Sequence, residues 1–324
     1  MKIIDLFSGI GGFSLGFQRA GYQFTEHYFS EIDKHAIANY KHNFPHAKYI
    51  GDITTLHGED FTDIDIITFG SPCVDFSLAG RRAGLKGAKS SLIEYAIALI
   101  AHIRPSIFIW ENVKGAFSSN ARADFWAIIQ AFANIGGYTI EWQLLNTSWV
   151  LPQNRERIYL IGHLAGRSVP GVFPIGKDDK LLEGKTRKEN RKRTSIKTSL
   201  ARTITARYSK KGSNDTYIVP KVAATLTGGG HSGGLHSDMT VIRHKRGRNK
   251  GVRRLTEIEC ERLQGFTDNW TQYGNYNGTI KPIAKTQRYK LIGNAVTVDI
   301  VELIAKRLKF IVDEFTPYTQ EKLV

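Results

Sequence analysis

Cysteine is nearly absent from this chain: Cys73 and Cys260 are the only two in 324 residues, and they lie far apart. That excludes a disulfide-stapled fold and makes a reducing, cytoplasmic setting the expectation. Long apolar runs are missing too. The most apolar helical stretch, "LIEYAIALIAHI", carries Glu94 and is too short to span a bilayer, so no membrane role is expected. The opening "MKIIDLFSG" reads as a strand and lacks the plan of a secretory leader. Acidic residues are scarce relative to basic ones, 30 against 45, which leaves a formal charge of +15 and a pI near 9.7. An excess of that size favours a polyanionic partner, nucleic acid ahead of acidic lipid.

What is present is enough apolar residue, 41% of the chain, for one large domain and a smaller one. In the first half, "KIIDLF", "HYFSEI", "KYIGDI", "IDIITFG", "SIFIWENV", "TIEWQLLN" and "RIYLIGH" have strand character. Between them "GGFSLGFQRAGY", "KHAIANYKHNF", "SLIEYAIALIAHI" and "ADFWAIIQAFANIGG" place apolar residues at helical spacing. Such alternation predicts an α/β fold, a doubly wound and mostly parallel sheet with helices on both faces. Past Gly166 the pattern gives way to glycine, threonine and the charge block "GKTRKENRKRTSIK", until "LTEIECERLQGF" and "AVTVDIVELIAKRLKFIVDEF" restore helical character. We expect a catalytic, cofactor-binding domain over 1–165, a smaller β-rich domain over 166–282, and a segment over 283–324 that returns to the first. Within the small domain, "ARTITARYSKKGSNDTYIVP" and "AATLTGGGHSGGLHSDMTVI" form a weak repeat, either two purely structural hairpins or two loops aimed at one surface.

Ligands of such sheets bind beyond the carboxyl ends of the strands, and polar residues gather there. "DLFSGIGGF" sets Gly9, Gly11 and Gly12 at a strand-to-helix turn, where backbone can approach a ligand. Ser14 stands where a full dinucleotide fingerprint needs a third glycine. Glu31, ending the second strand, can accept ribose hydroxyls, and Asp52, ending the third, can accept an adenine amino group. Nicotinamide and S-adenosylmethionine cofactors both fit these residues, although the second has no pyrophosphate to cradle. "GSPC" puts Pro72 and Cys73 just past the fourth strand, the position of a nucleophile and not of core filler. Cys260, on a helical pattern among apolar residues, fits the usual fate of a free cysteine as a small buried hydrophobe. Glu111 and Asn112 follow the apolar run of the fifth strand, and Arg155 and Arg157 stand at the entrance to a later one.

Taken together and in order, these segments resemble the DNA cytosine-5 methyltransferases of bacterial or phage type. "DLFSGIGG" is similar to that family's cofactor motif, "GSPCVDFS" to its Pro-Cys motif, "ENV" to its acid motif and "QNRER" to its Gln-x-Arg-x-Arg motif. "RRLTEIECERLQGF" and "YKLIGNAVTVDI" resemble the two that close its chain, and the region from about 166 to 250 falls where the family keeps its target-recognition domain. The resemblance implies methyl transfer from S-adenosyl-L-methionine, leaving S-adenosyl-L-homocysteine, to C5 of a cytosine flipped out of a specific duplex sequence. It implies Cys73 as nucleophile toward C6, Glu111 as acid toward N3, and Arg155 and Arg157 at the base carbonyl and neighbouring phosphate. Phe7, Gly9, Gly11, Gly12, Glu31, Ile32, Asp52, Ile53, Pro72, Leu92, Asn294 and Ala295 are the implied cofactor residues, with no metal. Val74, Lys89 and Ser90 depart from the family's usual Gln and Arg-Gly, and Ile32 replaces an aromatic, but no reacting group is lost.

The expected partner is double-stranded DNA and the expected state a monomer in a bacterial or phage-infected cytoplasm, associated with the nucleoid. A cognate restriction endonuclease is a possible functional partner. An RNA-directed cytosine-5 methyltransferase acting on tRNA and a non-catalytic DNA-binding homologue are the rival readings, and a dehydrogenase is more distant. The charge makes a prediction of its own: affinity for non-cognate duplex should fall steeply and log-linearly with salt, as counterion release requires. A flat dependence between low and physiological ionic strength would remove the basic DNA-binding surface.

Overall fold

A computed structural model describes residues 1–71, 92–118, 123–176, 223–224, 241–243 and 252–311. Pro72, Cys73, Val74, Lys89, Ser90, the charge block and most of the repeat lie outside the described residues. The chain runs β1 (Lys2–Leu6), α1 (Gly12–Arg19), β2 (Glu26–Ser30), α2 (Lys34–Asn43), β3 (Lys48–Tyr49) and β4 (Ile66–Phe69). It continues through α3 (Leu92–Ile103), β5 (Ile107–Val113), α4 (Lys114–Ser118), α5 (Ala123–Ala133), β6 (Tyr138–Asn146), β7 (Gln153–Asn154) and β8 (Glu156–Leu164).

Seven strands form the expected sheet, in the order β3-β2-β1-β4-β5-β8-β6. The five from β3 to β5 are parallel, while β8 runs antiparallel to both β5 and β6. The order reverses between β1 and β4, which opens a crevice beyond their carboxyl ends. Alternation along the strands supplies two cores. Ile3, Ile66, Ile107, Ile109 and Ile161 meet Phe13 and Phe17 of α1 on one face. Ile4, Ile67, Phe69, Phe108 and Leu160 meet α3 and α5 on the other. The buried positions of α3, Ile93, Ala96, Leu99 and Ile100, recur at helical spacing and fix which side of that helix faces the sheet.

Three elements are shorter than the sequence suggests. "KYIGDI" is strand only at Lys48–Tyr49, because Asp52 accepts the Thr54 N–H and caps a single 3₁₀ turn, Ile53–Thr55. The second strand stops at Ser30, before Glu31. The last long helical pattern, which opens at Ala295, is helix only over α8 (Val298–Arg307) and ends where Lys309–Phe310 pairs with β9 (Ser168–Val169), while α7 (Lys285–Asn294) precedes it. α6 (Glu257–Leu263) starts with a capping box between Thr256 and Glu259.

The return to the large domain begins well before 283. Phe266 is buried with Ile10 and Ala36, Trp270 Nε1 donates to the Ile10 carbonyl, and Asn39 Nδ2 donates to the carbonyls of Trp270 and Tyr273. Val172 and Ile175 belong to the core beneath α1 and α8, so residues 166–176 also lie against the large domain. Short pairings complete the described chain: β10 (Ala223–Ala224) with β7, β11 (Val241–Arg243) with β12 (Val252–Arg254), and β13 (Tyr273–Tyr276) with β14 (Thr279–Pro282).

Gly162 shows how tightly β8 is held. It faces Phe108 across the β5–β8 ladder, and a Cβ there would fall 2.0 Å from that ring. The ring has little room to move, since Phe132 and Tyr138 lie 5.0 and 5.1 Å away between centroids. Gly162→Ala should therefore cost about 1–3 kcal/mol in urea unfolding, and adding Phe108→Leu should recover part of it. An unchanged midpoint in the single variant would show that the ring yields freely.

Candidate active site

The crevice at the switch point is a cleft of about 690 Å³. Each wall comes from a strand end: Phe7 and Gly9 after β1, Ser30 to Asp33 after β2, Asp52 and Ile53 after β3, and Gly70 and Ser71 after β4. Glu111 to Val113 close β5, Arg155 and Arg157 open β8, and Ala36, Leu92, Leu291, Gly293 and Asn294 complete the lining. Because β8 is antiparallel to β5, its beginning lies at the same sheet edge as the end of β5. This places two arginines next to a carboxylate more than forty positions earlier in the sequence.

One end of the cleft is organised by Glu31. Its Oε2 accepts the Gly9 N–H at 2.9 Å, and its Oε1 accepts those of Ile32 and Asp33 at 2.8 and 2.9 Å. A carboxylate has further lone pairs, so one side chain can set the glycine turn and still accept from a ligand. Gly9 has φ +54° and open space at its missing Cβ, as close approach to a ligand requires. Ile32 is 73% exposed, an apolar surface facing the cleft. Asp33 caps α2 and also takes Lys290 Nζ at 2.6 Å.

Gly11 and Gly12, two expected cofactor residues, do not line the cleft. Gly11 has φ +81°, and a Cβ on it would sit 2.3 Å from the Phe44 ring; one on Gly12 would sit 2.6 Å from Val296. The absence of a side chain at these glycines leaves room for Phe44 and Val296. Ala295 is likewise buried behind the wall, its carbonyl turned to Arg155 and Gln264, while Asn294 faces the cleft.

The other end holds Glu111 and the arginines. Glu111 pairs across the ladder with Tyr159 and Arg157 with Val113, so Glu111 and Arg157 are diagonal neighbours on one face. Arg157 Nε lies 3.0 Å from Glu111 Oε1, an ionic contact between two side chains that are each about one-tenth exposed. Burial pushes the Glu111 carboxyl above its ordinary value, against the pull of Arg157 and then Arg155. Gly70 makes room for it, since a Cβ there would stand 3.1 Å from Glu111 Oε2.

Neighbouring residues on β5 point to the opposite face and hold the exit of β4. Trp110 Nε1 donates to Ser71 Oγ at 3.1 Å, and Asn112 Nδ2 donates to the Ser71 carbonyl at 3.1 Å. Arg155 is fully buried, donating from Nη2 to the Ala295 carbonyl at 2.8 Å and from Nη1 to Gly293 at 3.4 Å. Sequence reasoning missed Gln153 and Gln264. Gln153 Nε2 donates to the Leu263 carbonyl and to Gln264 Oε1, and Gln264 Nε2 donates on to Ile292 and Ala295. Their only sequence signal was a glutamine inside each of two short polar motifs.

A crevice at the switch point of an open α/β sheet, with carboxylates at one end and a buried acid–arginine pair at the other, is where folds of this class bind their ligands. Comparison with known proteins makes the class specific. Residues 1–310 match the family model described as C-5 cytosine-specific DNA methylase, and the chain belongs to that family. It is a DNA cytosine-5 methyltransferase. Among similar curated proteins, Type II methyltransferase M.Bsp6I of Bacillus sp. (strain RFL6) is 30% identical over 95% of this chain and 98% of its own. Type II methyltransferase M.HaeII of Haemophilus aegyptius is 33% identical over 94% of this chain and 91% of its own. In fold, the chain is similar to the Schizosaccharomyces pombe Dnmt2 methyltransferase, with TM-score 0.67, 19% identity, and 94% of this chain and 97% of that one covered. Among the described residues, no helix is long and apolar enough to cross a membrane.

The electrostatics of Glu111 can be read directly. Its carboxyl should titrate above the ordinary glutamate value of about 4.3 by carbon-13 NMR. Arg157→Met should move it higher still, since the nearer compensating charge is gone. A midpoint at or below the ordinary value would mean that the arginines outweigh burial.

Proposed function

We propose that the Glu31 end of the cleft holds S-adenosylmethionine and that cytosine, flipped out of duplex DNA, enters at the Glu111 end. The observation that carries this reading is that one cleft joins the two ends, with the exit of β4 between them. The residues at the first end fit the methyl donor: the charged side chains lining it, Glu31, Asp33 and Asp52, are all carboxylates. A pyrophosphate would be repelled by them, whereas a sulfonium brings a positive charge. Ile32 and Ile53 offer apolar surface for a purine. S-adenosylmethionine supplies an electrophilic methyl group on its sulfonium sulfur and departs as S-adenosylhomocysteine.

C5 of cytosine is a poor nucleophile until a thiolate adds at C6. Cys73 is the assigned thiolate. It follows Ser71 by two peptide units, which together span at most about 8 Å, and Ser71 is pinned in the cleft wall by Trp110 and Asn112. The other cysteine is unsuited: Cys260 is buried, and desolvation together with Glu259, Glu261 and Glu257 pushes its thiol well above the ordinary value. Glu111, held toward its protonated form by burial, donates to N3 and offsets the negative charge that addition at C6 creates. Arg157 is the guanidinium placed to hold the base carbonyl. The hydrogen bonds of Arg155 to Gly293 and Ala295 give it a positioning part, in place of the phosphate contact expected from sequence.

Recognition of the DNA sequence is assigned to the chain between about 177 and 251, since the flanking residues on both sides lie against the large domain. The relatives named as type II methyltransferases support a role as the modification partner of a restriction endonuclease. We assign the monomer as the active unit and the cytoplasm as its setting.

Release of the product needs loss of the C5 hydrogen, which restores the ring and expels the thiolate. Fluorine at that position cannot leave as a cation. Duplex DNA carrying 5-fluorocytosine at the cognate site, given S-adenosylmethionine, should therefore trap a denaturant-stable protein–DNA complex. Cys73→Ser should abolish trapping and Cys260→Ser should preserve it. Trapping that survives Cys73→Ser would refute the assignment, and trapping on tRNA but not duplex DNA would transfer the activity to RNA.

A further inference from the structure

Ser14 occupies the position where a dinucleotide fingerprint would carry its third glycine, and it is fully buried, its hydroxyl against three polar groups. Ser14 Oγ lies 3.1 Å from Asp5 Oδ2, 3.0 Å from His27 Nε2 and 2.7 Å from the Tyr40 hydroxyl. Tyr40 also reaches His27 Nε2 at 2.8 Å and Asp5 Oδ2 at 3.1 Å, while Thr68 Oγ1 donates to Asp5 Oδ1 at 3.0 Å. These groups come from β1, α1, β2, α2 and β4, the elements that carry three walls of the cofactor end. The Tyr40 ring also stands 3.1 Å from where a Cβ of Gly11 would be, so the cluster touches the glycine turn itself.

We propose that Ser14 is a positioning residue for the methyl-donor site: its hydroxyl is a reversible link through which Asp5, His27 and Tyr40 hold the turn from Gly9 to Gly12. The inference rests on the assignment of that end of the cleft to S-adenosylmethionine. Counting protons shows why the link is reversible. With Asp5 ionised, Ser14, Tyr40 and Thr68 all donate to the carboxylate, and a His27 carrying its proton on Nε2 donates to a hydroxyl. With Asp5 protonated, the direction reverses: Asp5 donates to Ser14, Ser14 to Tyr40, and Tyr40 to a His27 whose proton has moved to Nδ1. Both states keep Asp5 Oδ2, the Ser14 and Tyr40 hydroxyls and His27 Nε2 hydrogen-bonded, and both run through Ser14 or Tyr40. Burial lifts Asp5 to about 7, a change that Thr68, Tyr40 and Ser14 oppose and Glu31 reinforces. Burial lowers His27 to about 4, with the Phe24 and Phe44 rings beside it, so the imidazole stays neutral while its tautomer changes.

The test uses the full chain with S-adenosylmethionine and saturating duplex DNA. Ser14→Ala and Ser14→Gly should each raise KM for S-adenosylmethionine by about tenfold, the loss of one buried hydrogen bond, and keep kcat within about twofold. Glycine restores the fingerprint residue, so a wild-type KM in Ser14→Gly would overturn the proposal. Tyr40→Phe keeps the ring and removes only the hydroxyl, and it should give the same KM effect if the serine variants fold poorly. Nitrogen-15 NMR reads the link without ligand: His27 should change tautomer between pH 6 and 8 in the wild type (about one unit either side of the Asp5 midpoint) and stop doing so only when both hydroxyls that join it to Asp5 are removed, in Ser14→Ala with Tyr40→Phe. One fixed tautomer throughout in the wild type would also overturn it. A chain that shows the tautomer change but no binding of S-adenosylhomocysteine would keep the link and refute the cofactor assignment instead.

Discussion

The carbonyl of Ala295 accepts two buried donors, Arg155 Nη2 at 2.8 Å and Gln264 Nε2 at 3.2 Å, and much of the molecule's closure depends on that convergence. Arg155 belongs to the entrance of β8, at the active edge of the sheet. Gln264 follows α6, and Ala295 follows α7, so three distant segments meet at one oxygen. The contact extends outward: Gln264 Oε1 accepts from Gln153 and from Thr297, whose hydroxyl lies 2.8 Å from that of Thr147. Buried polar networks are costly when half satisfied and specify one arrangement when complete. This one lets the carboxy-terminal helices dock in a single register.

Docking has an electrostatic result. A buried guanidinium needs acceptors and a counter-charge, and Arg155 finds the first in the Gly293 and Ala295 carbonyls and the second in Glu111. The Glu111 carboxyl is thus balanced between burial, which favours its neutral form, and two arginines, which favour its charged form. An acid that must give up a proton during one step and regain it later is served by such a balance. The segment that completes the fold therefore also sets the acid strength at the site.

Much of this was legible in the sequence because strand ends are legible. Once "IIDLF", "IITFG" and "IFIWENV" are taken as parallel strands, Gly9, Gly70 and Glu111 must share an edge. What periodicity cannot supply is pairing between strands. That Arg157 meets Glu111 follows from β8 inserting antiparallel between β5 and β6, a matter of sheet order. Glycine was the least informative letter. Gly9 leaves open space at the cleft, whereas Gly11 and Gly12 free space for Phe44 and Val296, and nothing in "GIGG" distinguishes the two reasons. Ser14 looked like a defect in a fingerprint, yet its hydroxyl has three polar partners that come together only in the folded chain. The early return of the chain at Leu255 was hidden for a similar reason: Trp270 and Phe266 look like ordinary apolar residues until α1 and α2 are in place to cover them.

Charge segregation bears on how one cleft could serve the two ligands proposed for it. With a formal charge of +15 the protein attracts phosphate wherever it is accessible, which draws DNA to it but would also draw the backbone into any open crevice. The cofactor end counters this with Glu31, Asp33 and Asp52 on its walls, while Lys290 is engaged with Asp33. A polyanion approaching the cleft therefore meets guanidinium at the Glu111 end and carboxylate at the other. Under the proposed assignment phosphate stays outside, a neutral base enters beside Arg157, and a cationic sulfonium is the species that the acidic end favours. On that assignment a net positive charge suited to DNA is compatible with a donor site of the opposite sign, because carboxylates are concentrated in the few residues that line that end of the cleft.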